Sequence, residues 1–117
     1  MVSVTVRVEG DTLVIEPVGR LSKFASLARK LEVPLVCVKE VSTERAEIKG
    51  WKTAGMALPP HYAGNFYDFK TGKIFYALSD RDRCVTFRLE GAKYSEIVVQ
   101  VDDKEKAAEM VKEAVAG

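Results

Sequence analysis

The sequence predicts an α+β domain of seven strands, with one short inserted helix and a longer helix last. Three features predict it. Apolar and polar residues alternate at the N-terminus, four strand-like runs follow one another from Tyr62 onward, and the C-terminal residues shift to helical spacing.

Val2, Val4, Val6 and Val8 alternate with Ser3, Thr5, Arg7 and Glu9. This is the period-two pattern of a half-buried strand, and the β-branched residues favour a pleated backbone. After Gly10-Asp11, Leu13, Ile15 and Pro17 alternate with Val14 and Glu16, so the two runs predict a hairpin turning at Glu9-Gly10-Asp11. The period then changes. Phe24, Leu27, Ala28 and Leu31 fall at i, i+3, i+4 and i+7, one stripe of a short helix that Ser22 would cap. Pro34 ends it, since proline has no amide to donate and pushes Val33 toward extended geometry. A strand is predicted to open at Pro34-Leu35-Val36-Cys37-Val38 and to run to about Ser42. Residues Thr43 to Pro60 show no sustained period and contain Gly50, Gly55, Pro59 and Pro60. They are expected to form a long loop, either functional or folded back as a flap over its own apolar residues.

Four strands are predicted next, at Tyr62–Lys70, Lys73–Ser79, Cys84–Glu90 and Tyr94–Val101. Thr71-Gly72, the charged tip Asp80-Arg81-Asp82-Arg83 and Gly91-Ala92 separate them. Ile74, Tyr76 and Leu78 share one face of their strand, and Val85, Phe87 and Leu89 share one face of theirs. The last segment is helical: Asp102 or Asp103 caps it, Ala107, Met110, Val111, Ala114 and Val115 form its apolar side, and Lys106, Glu109 and Lys112 lie on the solvated side.

A chain of 117 residues is one domain, residues 1–117, long enough to bury a core. Eighteen Lys and Arg against 17 Asp and Glu leave a net charge of +1, which exerts no bulk pull on nucleic acid or anionic lipid. Cys37 and Cys84 stand far apart and make neither a disulfide framework nor a zinc knuckle. Both fall in predicted strands and are expected to be buried thiols, which fits the cytoplasm. No apolar run approaches the roughly 20 residues that span a bilayer, and the N-terminus lacks an apolar signal core.

The order of elements, with the segment Leu21 to Pro34, the apolar run Leu35 to Val41, Gly55-Met56-Ala57-Leu58-Pro59, Ala63-Gly64-Asn65-Phe66, Gly72 to Leu78, Cys84 to Leu89 and Ile97 to Asp103, resembles small prokaryotic proteins carrying a bacterial pleckstrin-homology domain. The resemblance spans essentially the whole chain. It implies a bent antiparallel barrel plugged at one corner by the last helix, and it implies no reaction. Lipid-binding members of the superfold cradle phosphates with basic residues at the first hairpin loop. Here that loop is Glu9-Gly10-Asp11, which repels phosphate and argues against phosphoinositide recognition.

No residue set carries a catalytic, cofactor or metal signature. His61 is the only histidine and is expected at the surface or as a cap. Asp80 to Arg83 alternates sign without calcium-loop spacing and reads as a solvated tip. No glycine pattern cradles phosphate. The candidate partner-binding residues form two sets. Arg20, Lys23, Arg29 and Lys30 make a basic side on the first helix, either merely solvated or a docking surface for an acidic protein; nucleic acid would call for exposed aromatics or a recognisable module. Trp51, Met56, Leu58 and Tyr62 either close the barrel mouth or, if Trp51 is exposed, anchor a partner. The function expected is a non-catalytic binding or assembly module acting by protein contact or self-association. Two rivals stand beside it: a carrier of a small apolar ligand under the 51–62 segment, and an enzyme using residues such as Asp68 and Tyr76.

Overall fold

A computed structural model describes residues 3–18 and 30–117. The predicted short helix, with Arg20, Lys23 and Arg29, lies outside the described residues. The described chain runs β1 (Val4–Glu9), β2 (Thr12–Pro17), β3 (Leu31–Pro34), a 3-10 turn (Leu35–Cys37), β4 (Val38–Ser42), β5 (Trp51–Leu58), β6 (His61–Asp68), β7 (Gly72–Leu78), a second 3-10 turn (Arg81–Arg83), β8 (Cys84–Leu89), β9 (Glu96–Gln100) and α1 (Lys104–Ala116). The fold is mixed α+β: mostly strands, in two sheets, with one C-terminal helix among the described residues.

Three expectations are corrected. Among the described residues nine strands replace seven, because Leu31–Pro34 pairs with β2 as a strand and because Trp51–Leu58, expected as loop, is a strand paired with β6. Extended geometry before Pro34 wins over the helical stripe at Leu31. In β5 the small residues Ala54, Gly55 and Ala57 hide the period that larger ones would have displayed. Second, the strands form a three-stranded sheet, β1-β2-β3, and a six-stranded sheet, β4-β8-β9-β7-β6-β5, with no closed barrel among the described residues. Third, pairing is not all antiparallel: β9 inserts between β7 and β8 and runs parallel to β7.

That insertion divides the interior. Ile74, Tyr76 and Leu78 face one side of the large sheet, while Val85, Phe87 and Leu89 face the other. The larger core lies between the sheets, where Leu13, Ile15 and Val33 meet Phe75, Phe87, Ile97 and Val99, and α1 adds Ala108 and Val111. Asp103 caps α1 by accepting from the Lys106 amide at 3.1 Å. The second core, on the opposite face, gathers Tyr62, Phe66, Ile74, Tyr76, Leu78, Cys84 and Val98 under Ala46 and Ile48 of the segment 43–50.

The insertion needs a plug, since the β7–β8 connection must straddle the end of β9. Gln100 provides it. Its side chain is buried, and its Oε1 accepts from the Ser79 and Asp80 amides, both at 2.7 Å. The Val101 amide adds a hydrogen bond to the Arg83 carbonyl at 3.1 Å.

The β5–β6 hairpin depends on a close crossing of two glycines. Gly55 and Gly64 are register partners with φ of 118° and 134°, in the region that disfavours side chains. A Cβ on Gly64 would lie 2.3 Å from the Ala54 carbonyl oxygen, against backbone that cannot swing away. Gly64→Ala is therefore expected to destabilise the fold by about 2–4 kcal/mol, read as a lower urea midpoint at unchanged slope.

Candidate functional site

The outer edge of β5 carries the most distinctive surface of the molecule. β5 ends the six-stranded sheet, and no described strand covers its far side. Trp51, at its start, pairs in register with Tyr67 of β6. The Asp68 carboxylate accepts from the Lys70 and Thr71 amides at 3.1 and 2.9 Å, which fixes the turn after β6 and holds Phe69 outward. Those amides, Thr71 foremost, keep the Asp68 carboxyl below its usual range. The three rings touch one another, with centroids 5.6 Å apart for Trp51–Tyr67, 5.2 Å for Trp51–Phe69 and 6.2 Å for Tyr67–Phe69. They remain exposed: 48% for Trp51, 39% for Tyr67 and 84% for Phe69. Leu58, at the other end of β5, is 66% exposed. Large exposed rings beside an uncovered sheet edge make this the candidate surface.

The structure splits the set Trp51, Met56, Leu58 and Tyr62. Trp51 and Leu58 are exposed at opposite ends of one strand, Met56 is half-buried against the main core, and Tyr62 is buried in the second core. The segment 51–62 is thus two paired strands around Pro59-Pro60 and forms no flap. Tyr67 and Phe69 complete the surface, though sequence reasoning did not single them out. Aromatics occupy Phe66, Tyr67 and Phe69 in close succession, so alternation gives no sign of which ring faces water. Lys30 is exposed.

A second region lies on the face covered by residues 43–50. This strap is tied at several points. The Tyr76 hydroxyl donates to the Glu47 carbonyl at 2.8 Å and accepts from the Lys49 amide at 2.9 Å, the Ala46 amide reaches the Arg81 carbonyl at 3.0 Å, and Lys104 Nζ donates to the Thr43 carbonyl at 2.9 Å. Beside the strap is an open cleft of about 480 Å³ lined by Lys39, Lys49, Lys70, Arg88, Glu90 and Glu96, among others. The buried Glu96 carboxylate lies 3.1 Å from Lys49 Nζ and 3.9 Å from Arg88, and Arg88 also lies 3.5 Å from Glu40. These charges compensate one another around a carboxylate that would be costly to bury alone.

The remaining candidates are spent on structure. His61 Nδ1 lies 2.7 Å from Ser79 Oγ, joining the start of β6 to the end of β7, which suits a capping role. Asp68 holds its turn and the Tyr76 hydroxyl holds the strap. Arg45 pairs with Asp82 at 2.7 Å on the exposed tip. No cluster of potential metal ligands occurs among the described residues. Both cysteines are free; Cys84 is buried, but Cys37 is only half-buried because it sits in the 3-10 turn and not in a strand. No helix of the described residues is long and apolar enough to cross a membrane.

Two outcomes are expected. Trp51 is the only tryptophan, so emission should be red-shifted and quenched by acrylamide close to the rate of free tryptophan at low protein concentration; strong shielding there would contradict the exposed geometry. The second concerns alkaline pH. Burial pushes the Tyr76 phenol from its ordinary value near 10 to about 12, and burial likewise lifts the Cys84 thiol from 9 to about 12. Between those values the unfolded chain has released protons that the folded chain still holds, so stability falls as pH rises. The urea midpoint should drop from about pH 9 to about pH 11, with a shallower drop above pH 10 in Tyr76→Phe.

No protein-family model, curated protein or solved structure matches this chain.

Proposed function

We propose that the chain is a non-catalytic binding or assembly module that contacts protein through the outer edge of β5 and the rings of Trp51, Tyr67 and Phe69. One observation carries this reading: three mutually touching aromatic rings stay in water beside a sheet edge that no described strand covers. An uncovered edge offers backbone donors and acceptors to an extended segment, and neighbouring rings supply apolar anchors at low entropic cost.

We also keep, as part of the proposal, membership in the pleckstrin-homology-like class. An opening hairpin, a long run of strands and a last helix packed on the main core support it, and the inserted β9 is a departure from the all-antiparallel order. Phosphoinositide recognition does not belong to the reading. Glu9 and Asp11 flank the first hairpin turn, and the adjacent Arg7 is already engaged with Glu9 and Glu16. Free thiols at Cys37 and Cys84 are consistent with a cytoplasmic setting.

The test places a photo-crosslinking benzophenone side chain at position 69 and, as control, at Val115, an exposed position on α1. Irradiation in the source cell should give adducts of discrete mass from position 69, whether to another protein or to a second copy, and none from position 115. Absence of adducts at 69, or the same adducts from both positions, would refute the proposal.

A further inference from the structure

We infer that β5 pairs antiparallel with β5 of a second copy, about a twofold axis through Gly55. This rests on the reading of β5 as a contact edge and names the occupant of that edge.

The argument begins with which way the β5 residues face. Asn65 accepts from the Tyr94 hydroxyl and Ala63 lies in the main core, so odd-numbered residues of β6 face the main-core side, while Tyr62 and Phe66 face the second core. Register partners share a face in an antiparallel pair. Trp51, Ala54, Met56 and Leu58, opposite Tyr67, Asn65, Ala63 and His61, therefore face the main-core side. Lys52, Gly55 and Ala57, opposite Phe66, Gly64 and Tyr62, face the other. The register shifts between Lys52 and Ala54, so Thr53 is the extra residue of a bulge.

With Thr53 set aside, the strand is a palindrome of faces centred on Gly55. A twofold axis there sets Trp51 opposite Leu58 of the second copy, Lys52 opposite Ala57, Ala54 opposite Met56, and Gly55 opposite itself. Every pair shares a face, which antiparallel pairing requires. The two large exposed apolar side chains of β5, one at each end, cover each other twice. Any shift of register leaves Trp51 or Leu58 overhanging.

Charge selects the same partner. β5 carries a single charged residue in eight, Lys52. In the proposed register the two Lys52 residues are about 14 Å apart along the sheet, beyond the roughly 8–10 Å over which salt leaves surface charges interacting. The other end of the large sheet is guarded differently: β4 is shorter, exposes Lys39 and Glu40, and lies against α1. β1 presents Arg7 and Glu9. These are usual defences of a sheet edge; β5 carries one such device, the bulge at Thr53, but has no charge pair and no described helix packed over it. A ladder of seven positions is about 24 Å long and a single sheet is about 10 Å thick. The edge thus covers roughly 240 Å², well below the roughly 800 Å² per partner of a standard interface. The dimer therefore belongs to the weak, reversible class.

Sedimentation velocity of the full chain should show the average mass rising from monomer toward dimer between about 1 μM and about 1 mM, the range expected of an interface this small. Trp51 quenching should fall in parallel, and Trp51→Lys should move the transition at least tenfold higher in concentration. Register is read by mild oxidation in a Cys37→Ser background. A mixture of Lys52→Cys and Ala57→Cys chains should form the mixed disulfide well ahead of either homodimer. Homotypic bonds equal to the mixed one, or a monomer mass up to about 1 mM, would overturn the pairing. If the monomer persists while position 69 still yields adducts to another protein, only the self-pairing falls; loss of both removes the contact surface itself.

Discussion

The large sheet depends on the carboxamide of Gln100. Inserting β9 between β7 and β8 forces the chain to pass from one neighbour to the other across the strand end, and a passage over a buried end strands backbone amides. Two of them, at Ser79 and Asp80, find the same Gln100 oxygen. Ser79 is half-buried and Asp80 exposed, so the gain is mainly that the buried Gln100 carboxamide oxygen finds two donors there and pins the crossing. The consequence reaches far. Once β9 lies parallel to β7, its alternate residues serve both cores: Ile97 and Val99 face the helix side and Val98 the strap side. A sheet buried on both faces in its middle has its exposed apolar surface left at the ends, which is where β5 lies.

The sequence made the fold class legible for a simple reason. Strand runs with β-branched or aromatic alternation, as at Val4 to Val8 and Ile74 to Leu78, carry their own period, and α1 has both a cap and an apolar stripe. Strand order was not legible. A run such as Cys84 to Leu89 alternates identically whether its neighbour is β7 or β9, because alternation encodes the face and not the partner. β5 was missed for a different reason. Its ladder is built around Gly55 and a bulge, and with alanines at positions 54 and 57 it shows almost no hydrophobic contrast. Leu31 shows the opposite failure, where a helical spacing that includes Phe24, Leu27 and Ala28 ends on a residue that the structure places in β3.

The candidate surface was half legible. Trp51 and Leu58 stand out as large apolar residues in a polar stretch, and both are exposed. Tyr62 looked equivalent and is not, since it is turned by one position into the second core, where its ring lies 6.1 Å from that of Phe66. Tyr67 and Phe69 depended on two features that composition does not display: the face that register assigns to Tyr67, and the Asp68 turn that throws Phe69 outward.

Rigidity links these features to the proposed contact. The Gly55–Gly64 crossing draws β5 and β6 close enough that neither can take a side chain there, and the strap across the opposite face is fastened through Tyr76, Arg81 and Lys104. The edge is thus held in an extended, presented form before anything meets it. A partner strand then has little ordering left to impose on this chain, and ordering is the main cost of forming a small interface. A short contact that would be too weak on a mobile loop becomes useful on a strand already fixed. In the proposed pairing, that weakness would also keep the contact reversible.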